Sequence, residues 1–466
     1  MKDLEMALKD GGIGVVDGVA LTGLDARFNG DLVTSDHAQY DETRSIWNGM
    51  INKHPAVIAR CMDAADVAES VRFAQEHGLL VSVRGGGHNY AGKSLVEQGF
   101  VIDLSTMRDI EVDPTAKTVR VAGGCRLGEF DEAAQAEGLA TTLGVNTDTG
   151  VAGLTLGGGY GWLAGRFGLA CDSLRSINVV SCDGDILTAD AERNSDLFWG
   201  MRGAGANLAI ATSLTFNVHP LGEVLGGLIL YPLSQGKSFL RFFDDYAHNC
   251  PDELTLIGLM LTAPDGSPAV GAGVCYSGTL ERGAEVLKPL RNFATPLADL
   301  IEPKPYTQMQ QLFDDAWPPG RSYYNKSHIF EELNDNAIEV LVEYASSFPT
   351  TLSSIVLQQV HGAATRVPVD ATAFPHRYHN YACYVHPATD DPSEHDQIVT
   401  WARSCWDAVR PFAAPAVYVN ALEDGLEEGE ARVREAYGAN FERLCALKTR
   451  YDPTNLLQMN SNIVPG

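Results

Sequence analysis

The stretch GVNTDTGVAGLTLGGGYGWLAGRFGL, residues 144–169, decides how this chain folds. It is rich in glycine, yet it has no repeat and little charge, so it is not a flexible linker. Valine, leucine, tyrosine and tryptophan are interleaved with the glycines, which indicates that the segment packs into the protein. Glycine also lets a backbone approach a ligand closely. We therefore expect this segment to pack while its backbone contacts a ligand.

A second glycine cluster, RGGGH at Arg84–His88, follows the predicted buried strand LLVSVR. Three consecutive glycines expose backbone N–H groups that can bind an anion such as a pyrophosphate. The chain has neither the G-x-G-x-x-G fingerprint nor the G-x-x-x-x-G-K-[ST] phosphate loop. Taken alone, RGGGH fits a tight turn with an ordinary surface histidine equally well. Two glycine-rich turns in one domain favour a large, elongated cofactor that carries phosphate.

Strands and helices alternate from His54 onward. PAVIARC at 55–61 predicts a strand, and the following ADVAESVRFAQEHG predicts an amphipathic helix that ends at Gly78. SINVVSCDGDILTA predicts a hairpin that turns at Asp183-Gly184. The chain start, MKDLEMALKD, predicts a short helix. This βαβ texture indicates an α+β or α/β domain.

The composition changes after Pro220. Longer predicted strands, VLGGLILYPL and ELTLIGLML, alternate there with predicted helices near 235–249 and 280–293. This part of the chain is predicted to be a second domain. The tail, from YGANFERL onward, predicts a helix followed by an extended polar segment.

Length and charge exclude several classes of protein. The chain has 466 residues, enough for two or three domains. Its net charge of −26 argues against nucleic-acid and anionic-membrane partners, which both attract basic surfaces. No apolar run approaches the ~20 residues of a membrane span. The nine cysteines include no Cys-x-x-Cys pair. We therefore expect a cytoplasmic globular protein with free thiols.

Several motifs together resemble one family of flavoproteins. In family order from about residue 46 to the C-terminus, they are SVRGGGHNYAG, GFVIDLSTM, NTDTGVAGLTLGGGYGWLAGRFGL-x2-D, DLFWGMRGAGAN, AFPHR, VYVN and KTRYDPTNLLQMNSNI. With these motifs the chain resembles the vanillyl-alcohol-oxidase superfamily. Within it, the chain is similar to the berberine-bridge-enzyme-like branch with a PCMH-type FAD-binding domain.

The resemblance implies covalently bound FAD. His88 matches the histidine that this family links to the 8α-methyl group of the flavin. Many relatives add a second link through the cysteine of a GxCPTVG stretch. That stretch here reads GVNTDTG, and Asn146 occupies the position of the cysteine. The resemblance therefore implies a single covalent bond. It also assigns these residues to FAD binding: Arg84, Gly85, Gly86, Gly87, Asn89, Thr149, Gly150, Gly153, Gly157, Gly158, Gly159, Asn207, Ile210, Asn460 and Asn462.

The catalytic residues are predicted from the family's Tyr-x-Asn motif, which here is Tyr418-Val419-Asn420. Oxidation by FAD moves a hydride to flavin N5 while a base takes the substrate's other proton. We predict Tyr418 as the proton acceptor or orienting group, with Asn420 beside it. The alternative is a core tyrosine whose hydroxyl is hydrogen-bonded. GRSYYNKSHIF resembles a family stretch at the substrate pocket and makes Tyr323, Tyr324 and Lys326 candidate contacts.

The usual acid or base of the family has no clear counterpart. Relatives carry Glu, Gln or Lys on the strand after the PHR element. Aligned without gaps, the strand NYACYVH places Cys383 and Val385 in those positions, and neither is a normal base. The preceding strand offers Gln358, Gln359 and His361 as substitutes, and the sequence does not choose among them. Gln359 is therefore also a candidate substrate contact.

A zinc site is the competing interpretation of one cluster. His376, His379, Cys383 and His386 have spacings that suit zinc ligands. On a strand, however, residues 379 and 386 face opposite sides. We therefore predict no metal.

The predicted fold is α+β. A PCMH-type FAD-binding domain of two α/β subdomains spans 1–220, with its core at about 53–220. A substrate domain, an antiparallel sheet backed by helices, spans 221–419, and residues 420–466 return to the FAD domain. The active site is expected between the two domains.

The predicted function is an FAD-dependent oxidoreductase with one histidyl link to the flavin. We expect it to oxidise an alcohol, sugar, amine or natural product by hydride transfer to N5, with O2 as electron acceptor. The alternatives are a dehydrogenase of the same fold that does not use O2, and a flavin-carrying binding protein without catalysis.

Overall fold

The computed structural model describes residues 1–423 and 425–466, including all of their side chains except those of 425–428. The chain up to residue 220 forms β1 (Leu4–Ala7), β2 (Ile13–Val16), α1 (Gly18–Asp25), β3 (Asp31–Val33), α2 (Tyr40–Arg44), β4 (Val57–Arg60), α3 (Ala64–Glu76), β5 (Val81–Arg84), β6 (Phe100–Asp103), β7 (Ile110–Asp113), β8 (Thr118–Ala122), α4 (Leu127–Gln135), β9 (Leu139–Ala140), α5 (Val151–Leu156), α6 (Ala164–Phe167), β10 (Leu174–Val180), β11 (Ile186–Asp190), α7 (Ser195–Ala204), β12 (Ile210–Asn217) and β13 (His219–Pro220).

Two sheets organise this part of the chain. One has the order β3-β4-β6-β5, in which β4, β6 and β5 are parallel, as the βαβ texture predicts. The other has the order β11-β10-β12-β8-β7 and is antiparallel. The predicted hairpin at Asp183-Gly184 is confirmed, since β10 pairs with β11 and Gly184 has φ +83°. The two sheets share one apolar core, to which Val151, Ala152 and Leu156 of the glycine-rich segment also belong.

The helix predicted at the chain start is wrong. β1 and β2 form a hairpin there, and Gly11 turns the chain with φ +89°. Ala7 donates its N–H to the Gln98 carbonyl at 2.8 Å and accepts the Leu80 N–H at 2.8 Å. This long-range pairing to a neighbouring strand end outweighs the local amphipathic pattern.

The rest of the chain adds a large sheet and its helices. Its elements are β14 (Val224–Pro232), α8 (Gly236–His248), β15 (Leu254–Thr262), β16 (Pro268–Tyr276), α9 (Leu280–Val286), α10 (Lys288–Arg291), β17 (Ala298–Asp299), β18 (Glu302–Lys304), α11 (Tyr306–Gln310), β19 (Ser322–Tyr323), β20 (Lys326–Phe330), α12 (Asp335–Ala345), β21 (Ser354–Val360), α13 (Ala363–Arg366), β22 (Asn380–His386), β23 (Ala388–Thr389), α14 (His395–Val409), α15 (Gly425–Tyr437) and α16 (Phe441–Tyr451).

The large sheet is antiparallel in the order β17-β14-β16-β15-β21-β22-β20. Helices α8, α12 and α14 contribute to the apolar core on one of its faces. Because side chains alternate along a strand, Tyr381, Cys383 and Val385 of β22 enter that core, while Ala382 and Tyr384 belong to the opposite face. The opposite face is turned toward the glycine-rich segment of 144–169. The α+β class with a helix-backed antiparallel sheet is thus confirmed.

Helices α15 and α16 return to the core of the first two sheets. A buried ion pair anchors this return: Lys448 Nζ lies 2.7 Å from Asp452 Oδ2. The same ammonium group donates to the carbonyls of Asn207 and Leu457, and the Asp452 carboxylate accepts the Leu456 and Leu457 N–H groups. The tail beyond Asp452 is therefore held beside Asn207. The predicted domain boundaries near 220 and 420 stay a prediction. Among the helices described here, none combines the length and the apolar character needed to cross a membrane.

Candidate active site

A cavity of about 340 Å³ lies where the glycine-rich segments, the large sheet and the tail meet. A smaller cavity of about 130 Å³ adjoins it and shares Gly85, Gly153 and Asn460 in its lining. The predicted FAD-binding residues that line the larger cavity are Gly85, Gly86, Gly87, His88, Asn89, Thr149, Gly150, Gly153, Gly157, Asn207 and Asn460. We call residues 85–89 together with 144–157 the glycine wall.

Backbone contact between its two loops explains much of the glycine wall. A Cβ atom at Gly86 would lie 2.4 Å from the Gly150 nitrogen, and one at Gly150 would lie 2.5 Å from the Gly86 nitrogen. The two loops therefore meet only because both positions lack a side chain. Gly153 differs, because a Cβ there meets no described atom within 4 Å. It lines the cavity, so a side chain at Gly153 would occupy the space of a ligand.

Some predicted FAD-binding residues lie outside the larger cavity. Arg84 donates to the Thr43 carbonyl, and its Nε lies 3.8 Å from the Asp103 carboxylate, so it ties β5 to its surroundings. Gly158 and Gly159 form a turn with φ of +122° and +88°. Ile210 lines the adjoining smaller cavity. Asn462 lies in the tail segment and lines neither cavity.

Asn207 acts mainly on the tail. Its Oδ1 accepts the Ile463 N–H at 2.9 Å, and its Nδ2 lies 3.3 Å from the Ser461 carbonyl. Asn460 donates to the Ala206 carbonyl at 2.7 Å. The two asparagines thus close the tail over the cavity that both of them line.

His88 is held on two sides. Its Nε2 lies 3.0 Å from Asp148 Oδ1, and its ring stacks on Trp47 with centroids 4.2 Å apart. Its Nδ1 has no hydrogen bond to any residue that the structure describes. When Nε2 carries the proton that it shares with this carboxylate, the lone pair of the imidazole lies on Nδ1. Sequence reasoning missed Asp148 and Trp47, although Asp148 is the only acidic residue in 144–169.

No cysteine is found among the described residues that line the larger cavity. All nine cysteines of the chain are free thiols, and most are buried elsewhere in the fold. Asn146, in the predicted cysteine position, does line the cavity. The residue is only 7% exposed, and its Nδ2 has no partner among the described residues.

Three tyrosines line the cavity beside the glycine wall. Tyr418 accepts hydrogen bonds from the Gly159 N–H at 3.1 Å and from Asn420 Nδ2 at 2.9 Å. Tyr160 stacks on Tyr418 with centroids 4.2 Å apart. Burial raises the pKa of the Tyr418 phenol, while the hydrogen bonds from Gly159 and Asn420 lower it. Tyr384 approaches from the large sheet.

Strands β21 and β22 complete this side of the cavity. Gln358 accepts a hydrogen bond from the Tyr384 hydroxyl at 3.4 Å. Burial and the neighbouring His88 lower the pKa of His386 to about 3, so His386 is neutral near pH 7. We call the following residues the sheet wall: Tyr160, Trp317, Val356, Gln358, Tyr384, His386, Tyr418 and Asn420.

The predicted substrate contacts do not line this cavity. Tyr323 stacks on Trp47 with ring centroids 3.9 Å apart, and its hydroxyl donates to the Pro318 carbonyl. Lys326 shares its face of the sheet with Val385 and lies 5.3 Å from the Trp406 ring of α14, and Tyr324 contacts Arg403. Gln359 bonds the Ala247 carbonyl and the Leu256 N–H, which places it on the helix-covered face. The prediction that these four residues contact the substrate is therefore replaced: they support the residues around the cavity.

The strand register explains the other error. Cys383 and Val385 point into the helix-covered core, so the positions that face the cavity are Tyr384 and His386. Strict alternation along NYACYVH would have separated these two sets, but the sequence does not show which set faces the cavity. His361 lies against Gly165 and does not line the cavity.

The four candidate zinc ligands are dispersed. His376 contacts the Val417 carbonyl, His379 stacks on His248, Cys383 lies in the helix-covered core and His386 lines the cavity. The described residues contain no group of three or more ligands that could hold a metal ion.

The cavity fits the cofactor that the resemblance implies. Ser94 Oγ, Asn146 Nδ2 and Asn460 Oδ1 belong to its lining, are buried, and have no partner among the described residues. Such groups are costly unless a ligand or water pairs with them. The bare backbone at Gly153 leaves space beside them. Polar groups along a glycine-lined, elongated cavity suit a long polar molecule such as FAD.

Comparison with known proteins agrees with this cavity. The family model described as FAD binding domain matches residues 55–190, and the model described as berberine and berberine like matches residues 417–464. An FAD-linked oxidoreductase of Dictyostelium discoideum is 32% identical over 426 residues, which cover 90% of this chain and 91% of that protein.

Solved structures show the same fold. The 6-hydroxy-D-nicotine oxidase of Arthrobacter nicotinovorans superposes with a TM-score of 0.85 at 26% identity, covering 94% of this chain and 98% of that one. The carbohydrate oxidase of Microdochium nivale has the same fold, with a TM-score of 0.85 at 23% identity, covering 96% of this chain and 100% of that one. Since the likeness extends over nearly the full length at this identity, the chain belongs to the berberine-bridge-enzyme-like family of FAD-linked oxidoreductases.

Proposed function

We propose that this oxidoreductase carries FAD attached covalently through His88 alone, oxidises an uncharged small molecule and passes the electrons to O2. The observation that carries the proposal is the geometry of His88. It lines the cavity, its Nε2 is engaged by Asp148, and its Nδ1 has no partner among the described residues. A single nucleophilic nitrogen thus faces the cofactor space, while Asn146 replaces the second linking residue.

The glycine wall would hold the cofactor. The backbone N–H groups of Gly85–Gly87 suit the pyrophosphate, and Asn207 and Asn460 keep the tail closed over the site. Bound FAD would supply a two-electron acceptor, with hydride from the substrate going to flavin N5. The sheet wall would bind the substrate and accept its proton.

Tyr418 is the proposed proton acceptor. Two N–H donors, from Gly159 and Asn420, point at its oxygen. Donors in this arrangement stabilise the phenolate and so help the phenol to give up its proton. Its hydroxyl donates to none of the residues that the structure describes, so the phenolate oxygen keeps a free position at which it can accept the substrate's proton. Asn420, itself bonded to the Leu154 carbonyl at 3.1 Å, keeps the oxygen in place.

An uncharged substrate follows from the composition of the sheet wall. Its described members include no Asp, Glu, Lys or Arg, and its histidine, His386, is neutral near pH 7. Lys93 also lines the cavity, outside the sheet wall, and its ammonium group donates to the Leu422 carbonyl and the Ser461 hydroxyl. A charged substrate would lose its hydration without gaining a partner there. Aromatic faces and amide or phenol groups instead suit a ring that carries hydroxyl or neutral amine groups. Alcohols, sugars and neutral amines meet this requirement. The relatives named as nicotine and carbohydrate oxidases support these classes.

Anaerobic stopped-flow reduction with paired substrates tests the proposal. Each pair consists of an uncharged alcohol, sugar or amine and a matched analogue that carries a carboxylate or a quaternary ammonium group. We expect uncharged members to reduce the flavin and charged members to fail. Mixing the reduced enzyme with O2 should then yield one H2O2 per flavin.

Three outcomes would contradict parts of the proposal. Reduction by charged analogues only would refute the substrate class. Reduced enzyme that is stable in air but reoxidised by a dye would identify a dehydrogenase. A flavin that no member of the panel reduces would favour the binding protein without catalysis.

A further inference from the structure

The Asp148 carboxylate lies between two cavities. On one side its Oδ1 meets His88 Nε2 at 3.0 Å, and His88 lines the cofactor cavity. On the other side Asp148 lines a separate polar cavity of about 300 Å³ between α4 and α11. The Asp148 side chain is 24% exposed and that of His88 is 16% exposed. The carboxylate therefore connects the buried imidazole with the outside.

Trp47 fixes the plane of the imidazole ring. The two rings are inclined by only 22°. Trp47 is itself held, because it stacks on Tyr323 and donates its Nε1–H to the Trp317 carbonyl at 3.1 Å. With its plane set by Trp47 and its Nε2 set by Asp148, the imidazole has one orientation in which Nδ1 is the nitrogen left for reaction.

We propose that Asp148 is the positioning residue for covalent attachment of the flavin, and the acceptor of the imidazole proton during that reaction. This inference rests on the proposed function, in which His88 is the linking residue. By accepting the Nε2–H, Asp148 holds the lone pair on Nδ1. As the Nδ1–C bond forms, positive charge develops on the ring, and the carboxylate stabilises it and takes the Nε2 proton.

The atoms and electrons of the attachment balance as follows. The bond from Nδ1 to the 8α carbon forms, while one 8α C–H bond and the Nε2–H bond break. This releases two protons and two electrons. The 8α proton is released to water in the cofactor cavity, and the Nε2 proton goes to Asp148 and then to water in the polar cavity. The electrons are taken up by the bound flavin and passed to O2, which with two protons becomes H2O2. The net reaction consumes one O2 and forms one H2O2 for each attached flavin.

The loop that carries Asp148 is contacted by a second aspartate, Asp314. Asp148 stands two residues after Asn146, in the stretch where relatives with two links carry the cysteine. Asp314 lies on the far side of this loop and accepts the Thr147 N–H at 3.0 Å. One aspartate therefore contacts His88, and another supports only the loop. The pair offers a matched control.

The test measures attachment itself. Full-length apoprotein from riboflavin-starved cells is mixed with FAD in air, and covalent flavin is followed by intact mass and by fluorescence in denaturing gels. We expect Asp148→Asn to slow attachment by about 10²-fold, the usual effect of one proton-transfer group. Asp148→Glu, which keeps the carboxylate, should recover at least about 10-fold of that loss. Asp314→Asn should stay within about threefold of wild type.

Reversible binding separates positioning from a merely structural role. In a His88→Ala background, Asp148→Asn should leave the Kd for FAD within about threefold. Attachment by Asp148→Asn at the wild-type rate would overturn the inference while leaving the proposed function intact. Equal slowing by Asp314→Asn, or loss of reversible FAD binding, would also overturn it. Wild-type protein that never attaches FAD would refute the proposed function itself, and this inference with it.

Discussion

The two walls of the cavity are built on opposite principles. The glycine wall presents mainly backbone and carries one imidazole–carboxylate pair, His88 and Asp148. The sheet wall presents side chains, most of them aromatic, and its described members carry no formal charge near pH 7. Backbone N–H groups and one nucleophile suit the capture of a cofactor. Neutral phenols and amides suit the handling of a substrate and its proton.

This difference separates two kinds of failure. Changes in the glycine wall should alter how FAD is held while the substrate chemistry survives whenever FAD is present. Changes in the sheet wall should alter flavin reduction while the cofactor stays attached. A glycine-wall variant that alters only flavin reduction, or a sheet-wall variant that loses its flavin, would contradict this separation.

The largest effect is expected for His88→Ala. It removes the proposed linking nitrogen, so covalent flavin should disappear completely. The variant should still bind FAD reversibly, because the glycine backbone and the tail remain. Acid precipitation followed by fluorescence of the supernatant measures released flavin. Asn146→Ala, on the same wall, is the control and should keep all of its flavin in the pellet. Flavin that stays with the precipitated His88→Ala protein would show a different linking residue.

Tyr418→Phe should slow flavin reduction by about 10²-fold without loss of flavin, because it removes the proton acceptor but touches no cofactor attachment. Because burial raises the pKa of this phenol, the fraction of Tyr418 that is phenolate increases as the pH rises. The wild-type reduction rate should therefore increase with pH, and the variant's rate should not. Tyr160→Phe, at the stacked neighbour, is the control and should lose less. Equal rates for Tyr418→Phe and wild type would make the tyrosine structural.

Gly153→Ala should change binding and stability in opposite directions. Gly153 lies inside α5, where alanine is favoured over glycine by ~0.5–1 kcal/mol, and the new Cβ meets no described atom within 4 Å. The apoprotein should unfold at slightly higher denaturant. The methyl group would stand in the cofactor space, so the Kd for FAD, measured with His88→Ala, should rise by about tenfold, which equals ~1.4 kcal/mol. Gly150→Ala, which clashes with Gly86, should instead lower stability. Unchanged FAD affinity would remove Gly153 from the cofactor site.

The smallest effect on flavin reduction is expected for the neighbouring residues Gln358 and Gln359. Gln358 faces the cavity, and Gln359 faces the helices. Gln358→Leu should lower kcat/KM by several-fold with normal stability. Gln359→Leu removes the acceptor of the Leu256 N–H and leaves the Ala247 carbonyl with the Cys250 thiol as its donor, so it should cost ~1–3 kcal/mol of unfolding free energy with unchanged flavin reduction. Urea unfolding and stopped-flow reduction measure both quantities. The reverse pattern would show that Gln359, and not Gln358, faces the cavity.

The glycine wall was largely predictable from the sequence. Its two loops are short, contiguous motifs, and the requirement for glycine at Gly86 and Gly150 comes from backbone contact that no other residue permits. The sequence identified both loops and the residue proposed to link the flavin. The hairpin at Asp183-Gly184 was also predictable, because a short turn that contains glycine is a local signal.

The sheet wall was not predictable in the same way. Which face of β22 meets the cavity depends on its pairing with β20 and β21 and on the helices that cover the other face. A shift of one residue exchanges Cys383 and Val385 for Tyr384 and His386. The hairpin at the chain start was missed for a similar reason, since its pairing partners lie near residues 80 and 98. The contact between Asp148 and His88 spans 60 residues and likewise needed the fold.

The most direct test of this account is peptide mapping of wild-type enzyme by mass spectrometry after proteolysis. The account predicts FAD mass on the peptide that contains His88, with fragment ions that place it on the imidazole, and nine cysteines that all react with a thiol reagent after unfolding. FAD on a cysteine-containing peptide, a peptide pair cross-linked through FAD, or an unmodified His88 peptide with all flavin released would contradict it.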